Sequence, residues 1–101
     1  MTLSETKSFD PAEYLDDPEA IAAYMTDALE SDDPAFITDA LGVVARARGM
    51  SQVAQDAGLS RENLYRALSA NGNPEFATVL HVLQALGLQF SVVTANRQKV
   101  A

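Results

Sequence analysis

A chain of 101 residues, 48% of them hydrophobic, fits one compact domain and excludes an intrinsically disordered polymer. It has no cysteine, which excludes disulfides, thiolate zinc sites and a cysteine nucleophile. The formal net charge of -7 is unevenly spread: residues 1–44 carry eleven acidic side chains against one basic, whereas residues 45–101 carry six basic against three acidic.

In chain order, residues 1–9 are polar and lack the apolar stretch of a signal peptide. No apolar run approaches the ~20 residues that span a bilayer. Both points, with the absence of cysteine, fit a cytoplasmic protein without a membrane segment. Asp10 and Pro11 open a short helical turn, with Glu13 placed as in a capping box. Asp17 is the next N-cap, with Pro18 at the first helical position, and the helix runs to about Glu30. Its apolar positions are Ile21, Ala22, Met25, Ala28 and Leu29. Asp33 and Pro34 repeat the start signal, and Phe36, Ile37, Ala40, Leu41, Val44 and Ala45 form the next stripe. Arg46 and Arg48 lie in the last turn, as cations favoured by the helix dipole or as phosphate contacts, before Gly49 stops the helix.

A third helix is predicted over residues 51–57, with Ser51 as N-cap and Gly58 as stop. Ser60 caps a fourth, over residues 61–68. Residues 69–73 read as a turn before Pro74, and a fifth helix spans residues 75–86 with Phe76, Val79, Leu80, Val82, Leu83 and Leu86 as its apolar positions. Residues 88–94, rich in β-branched and aromatic types, predict a short strand. A lone strand in a helical domain packs as an extended tail or pairs with a partner chain.

Two short helices across a tight turn at residues 51–69 have the pattern of a DNA-binding helix-turn-helix. Ala54 must be small where the second helix crosses, Gly58 can take a positive φ, and Val53, Ala57, Leu59, Leu64 and Ala67 hold the pair to the domain. Ser60 caps the second helix, leaving Arg61, Glu62, Tyr65 and Arg66 on its outer face, where they suit base edges or phosphates. Glu62 either accepts from a cytosine amine or orients Arg66, four residues on. Ser51 and Gln52 are placed to touch phosphate, and Asn71, Gly72 and Asn73 to do so through backbone N–H groups. The same motif also occurs as a plain packing unit.

Several stretches carry a family resemblance: residues 9–15 (FDPAEYL), 45–51 (ARARGMS), 58–69 (GLSRENLYRALS) and 72–80 (GNPEFATVL). On these the chain resembles the addiction-module antidote proteins, HigA-like antitoxins that accompany RelE-superfamily toxins. The match covers roughly residues 9–90. It implies an all-α, five-helix, lambda-repressor-like helix-turn-helix fold, here with an N-terminal helical extension and the C-terminal strand. It also implies a homodimer, binding to double-stranded DNA at the operon's own promoter, and neutralisation of a ribonuclease toxin. DNA contacts fall on Ser60, Arg61, Glu62, Tyr65 and Arg66.

The expected organisation is a single domain: acidic helices over 1–44, a helix-turn-helix core over 45–87 and a strand or tail over 88–101. The acidic half is either a solvated face or a docking surface for a basic toxin, with Asp16, Asp17, Asp27 and Glu30 as candidate contacts. The single histidine, His81, sits mid-helix and reads as a boundary residue. Tyr14, Tyr24 and Phe36 read as core, Met25 and Met50 as gap-fillers, and Tyr65 as exposed. No carboxylate pair, nucleophile or metal-ligand spacing emerges, so neither catalysis nor a cofactor is expected. The alternatives to an antitoxin are a stand-alone, phage-like transcriptional repressor and an interaction module that no longer binds DNA. The strand at 88–94 is a candidate dimer contact.

Overall fold

A computed structural model describes residues 15–95. The turn expected at Asp10 and Pro11, and the core reading of Tyr14, lie outside them. Among the described residues, five helices follow in order: α1 Pro18–Glu30, α2 Pro34–Arg48, α3 Met50–Ala57, α4 Arg61–Ala67 and α5 Phe76–Ala85. No helix among the described residues is long and apolar enough to cross a membrane.

The first two helices start as their sequence dictates. Asp17 has extended backbone, and its Oδ1 accepts the Ala20 N–H at 2.7 Å. Pro18 has no N–H to satisfy at a position where an N–H would be orphaned anyway. Asp33 repeats the device, accepting the Ala35 N–H at 3.1 Å ahead of Pro34. Ser31 joins the two ends: its hydroxyl donates to the Ala28 carbonyl at 2.6 Å and accepts the Asp33 N–H at 3.1 Å.

All five helices contribute to one apolar core, and no buried polar or charged side chain occurs among the described residues. Its largest fully buried side chains are Ile21 from α1, Leu41 and Val44 from α2, Leu64 from α4, Val82 from α5 and Leu86 just beyond it. Each such side chain contributes about 1.5–3 kcal/mol through removal from water. Helix α3 packs chiefly on α5, and α1 on α2, with α4 resting on α3. Met25 and Met50 are buried, as the sequence predicts, while Tyr24 is only half-buried.

Four apolar positions expected in the stripes face outward. Ala22 is exposed, and Leu29, Phe36 and Phe76 are 40%, 50% and 68% exposed. The last three lie in the first or last turn of their helices, where the stripe runs past the core. The predicted strand is absent among the described residues. Residues 88–94 have no regular secondary structure, and the five described helices offer no sheet edge to pair with. The Phe90 ring stacks on Phe76 at 5.8 Å between centroids, and Val92 and Val93 stand in solvent.

Candidate nucleic-acid interface

The turn between α3 and α4 is fixed by backbone bonds. Gly58 takes φ 77°, a left-handed conformation that costs glycine nothing. Its N–H donates to the Gln55 carbonyl at 3.2 Å, and the Leu59 N–H donates to the Ala54 carbonyl at 2.8 Å. These are the paired bonds of a Schellman motif, which satisfy the last carbonyls of α3. Ala54, Val53 and Ala57 are buried beneath the turn. Ser60 then starts α4, its Oγ accepting the Asn63 N–H at 3.0 Å. Ser51 does not cap α3. That helix begins one residue earlier, after Gly49 at φ 107° and with no side-chain cap, so Ser51 lies inside its first turn.

Burial of Leu64 and Leu68 sets the rotation of α4. Arg61, Glu62, Tyr65 and Arg66 consequently lie together on the exposed side, as the spacing predicts. Two of these side chains, both cations, are held by their own helix. The Arg61 guanidinium lies over the Tyr65 ring at 5.2 Å from its centroid, and Nη2 donates to the Tyr65 hydroxyl at 3.4 Å. Arg66 Nη1 donates to Asn63 Oδ1 at 2.8 Å. Glu62 is the orienting partner that the sequence suggests for Arg66; the structure gives that role to Asn63, whose carbonyl sits one turn back. Sequence reading passes over Asn63, although its three-residue spacing from Arg66 is a standard contact on a helix surface.

The remaining candidates flank this face. Asn63, Arg66 and Asn71 line one open cleft of about 650 Å³ between α4 and the 69–75 turn. The Gly72 N–H donates to the Ser69 carbonyl at 2.8 Å, so it serves the turn and not a phosphate. A Cβ at Gly72 would overlap the Ala67 carbonyl oxygen, so glycine is required for the turn to close against α4. Ser51 and Gln52 are exposed on α3, but the Gln52 amide already donates to Asp56 Oδ1 at 2.9 Å. His81 is exposed, and so are the two arginines at the end of α2, Arg46 and Arg48.

Far along the chain, Asp16, Asp17, Asp27 and Glu30 are exposed, Asp27 and Glu30 on one ridge of α1. Asp17 is already committed as the cap. At the α1–α2 seam, burial pushes the Tyr24 hydroxyl pKa up; the Asp39 carboxylate adds to the effect and Arg46 opposes it. No group of three metal-binding side chains occurs among the described residues.

Fold and surface define a class first: a small protein, all-helical over the described residues, whose shortest described helix presents two held arginines to solvent beside a glycine-closed turn. The chain belongs to the family of probable addiction module antidote proteins, whose family model matches residues 5–94. It is 54% identical over 88 residues to an uncharacterized protein of Haemophilus influenzae, the alignment covering 87% of this chain and 91% of that relative. No solved structure matches it.

Proposed function

We propose that this protein is the antitoxin of a type II toxin–antitoxin module. In this reading it acts in the cytoplasm by binding, without catalysis. It neutralises a RelE-like ribonuclease toxin, and as a homodimer it represses its own operon by sequence-specific contact with double-stranded DNA. The observation that carries the DNA half is the exposed face of α4, with Arg61, Glu62, Tyr65 and Arg66 on a helix fixed by the Ser60 cap and the Gly58 turn. That arrangement suits a lambda-repressor-like helix-turn-helix, in which the second helix enters the major groove. Membership of an antidote family supports the toxin half. The acidic outer surface of α1 suits a basic, RNA-cleaving partner.

Three experiments test the reading. The reading frame adjacent to the gene is induced alone and then together with this protein. Growth arrest that co-expression relieves is the expected result; no arrest leaves the stand-alone repressor. Separately, affinity for the duplex upstream of the gene should fall steeply with salt, because phosphate contacts release counterions. If duplex binding is absent or flat across salt, α4 is a packing unit only. For the docking surface, the joint replacement Asp16→Asn, Asp17→Asn, Asp27→Asn and Glu30→Gln should weaken toxin binding. Asparagine is as good an N-cap as aspartate, so the start of α1 survives the change. Undiminished binding would exclude that surface.

A further inference from the structure

We infer that Asn63 is a positioning residue, holding the Arg66 guanidinium in the plane in which its free edge reads a guanine of the operator. The inference rests on α4 being the DNA-reading helix, and adds to it the arginine that reads a base and what aims it. A short relay runs along one side of the helix. Ser60 Oγ accepts the Asn63 N–H at 3.0 Å, and Asn63 Oδ1 accepts from Arg66 Nη1 at 2.8 Å. Arg66 is thereby tied to the first turn of α4, which the Ser60 cap and the Gly58 turn fix in turn.

That bond uses Nη1 alone. Among the described residues, Nε and Nη2 have no partner, and together they form the side-on fork that matches two acceptors in one plane. Guanine offers two coplanar acceptors, O6 and N7, on its major-groove edge. A phosphate accepts from many directions and gains little from a guanidinium held in one plane. The chemistry of the holder agrees. A carboxylate in place of Asn63 would cancel the arginine charge and repel the DNA backbone, whereas a neutral amide orients the cation and leaves its charge intact. Arg61 is held differently, ring face against guanidinium and through a long 3.4 Å contact. It is the looser cation and the better phosphate contact.

Binding of the wild type, Asn63→Ala, Arg66→Ala and the double variant is measured on the upstream duplex and on duplexes with single base pairs replaced. Thermal melts check that each variant is folded; both side chains lie outside the core. Arg66→Ala should lose roughly ten- to a hundredfold in affinity and all discrimination at one G·C pair. Asn63→Ala should lose about three- to tenfold, the cost of a freed rotamer-rich side chain, with weakened discrimination at that same pair. In the Arg66→Ala background it should lose nothing further. A loss from Asn63→Ala that persists there makes Asn63 a direct DNA contact and overturns the inference. A uniform loss from Arg66→Ala with a shallower salt slope makes Arg66 a phosphate contact and overturns it too. If the wild type itself shows no salt-dependent duplex binding, the DNA reading fails first and takes this inference with it.

Discussion

Helices α1 and α4 are built on one plan and coated with opposite charge. Each starts on a side-chain cap, Asp17 or Ser60, whose oxygen accepts a backbone N–H three residues on. Each sends a fully buried aliphatic side chain, Ile21 or Leu64, into the same core. Outside, α1 shows Glu19, Asp27 and Glu30, while α4 shows Arg61 and Arg66 with Glu62 between them. Capping and burial thus fix the fold without reference to the outer residues, which leaves two surfaces of one small domain free to meet two partners. The shared core has a cost: damage to the inside of either helix should reach both surfaces.

The largest effect tests that coupling. Leu64→Ala removes a side chain with no solvent exposure and should destabilise the protein by about 2–5 kcal/mol. In chemical denaturation, α1 and α4 should melt together in one transition. A variant that loses DNA binding while keeping wild-type stability would show that the two halves are energetically separate. Gly72→Ala comes next. The new methyl meets backbone atoms of Ala67 and Arg66, which cannot rotate away. A loss of about 1–3 kcal/mol is expected from the overpacking, with the cleft beside Arg66 distorted. An unchanged melting temperature would mean that the 69–75 turn shifts freely.

Smaller again are the caps, where the two helices can be compared directly. Ser60→Ala and Asp17→Ala should each cost about 1 kcal/mol. Their functional consequences should diverge. Loss of the Ser60 cap loosens the turn that places Asn63 and Arg66, so duplex affinity should drop beyond what the stability loss explains. Loss of the Asp17 cap should leave duplex affinity at the wild-type value under conditions where both variants are folded. Equal effects on DNA binding would erase the distinction between the helices.

Much of this is legible in the sequence because the signals are local. Asp17 with Pro18 sets the start of α1, and Gly58 with Ser60 sets the turn and the phase of α4, so the exposed quartet follows. What the sequence hides depends on tertiary position or on a partner. Phe36 and Phe76 have the spacing of core residues but stand at helix starts that overhang the core. Ser51 is a good capping residue, yet Gly49 lets the chain enter α3 a residue earlier. Residues 88–94 have strand composition, but the described chain supplies nothing to pair with them. Asn63 is hidden for another reason: Glu62 offers a charge-based partner for Arg66, and charge is the more conspicuous signal in a sequence.

The smallest expected effect lies at the seam between α1 and α2, on the acidic side of the comparison. Burial, reinforced by Asp39, raises the Tyr24 hydroxyl pKa above its ordinary value of 10.0. The folded protein therefore holds this proton more tightly than the unfolded chain does. The stabilisation is fully present below the ordinary value of 10.0 and is lost as pH rises through the higher folded-state value. Tyr24→Phe has no proton to lose, so its stability should decline less steeply than the wild type's above pH 10.0. Tyr24 is only partly buried, and the difference should be slight. Denaturant midpoints compared between about pH 8 and about pH 11 provide the check. Parallel declines would place the alkaline loss of stability elsewhere. DNA affinity at neutral pH should be the same for both proteins, because Tyr24 acts on the packing of α1 and has no part in the α4 face.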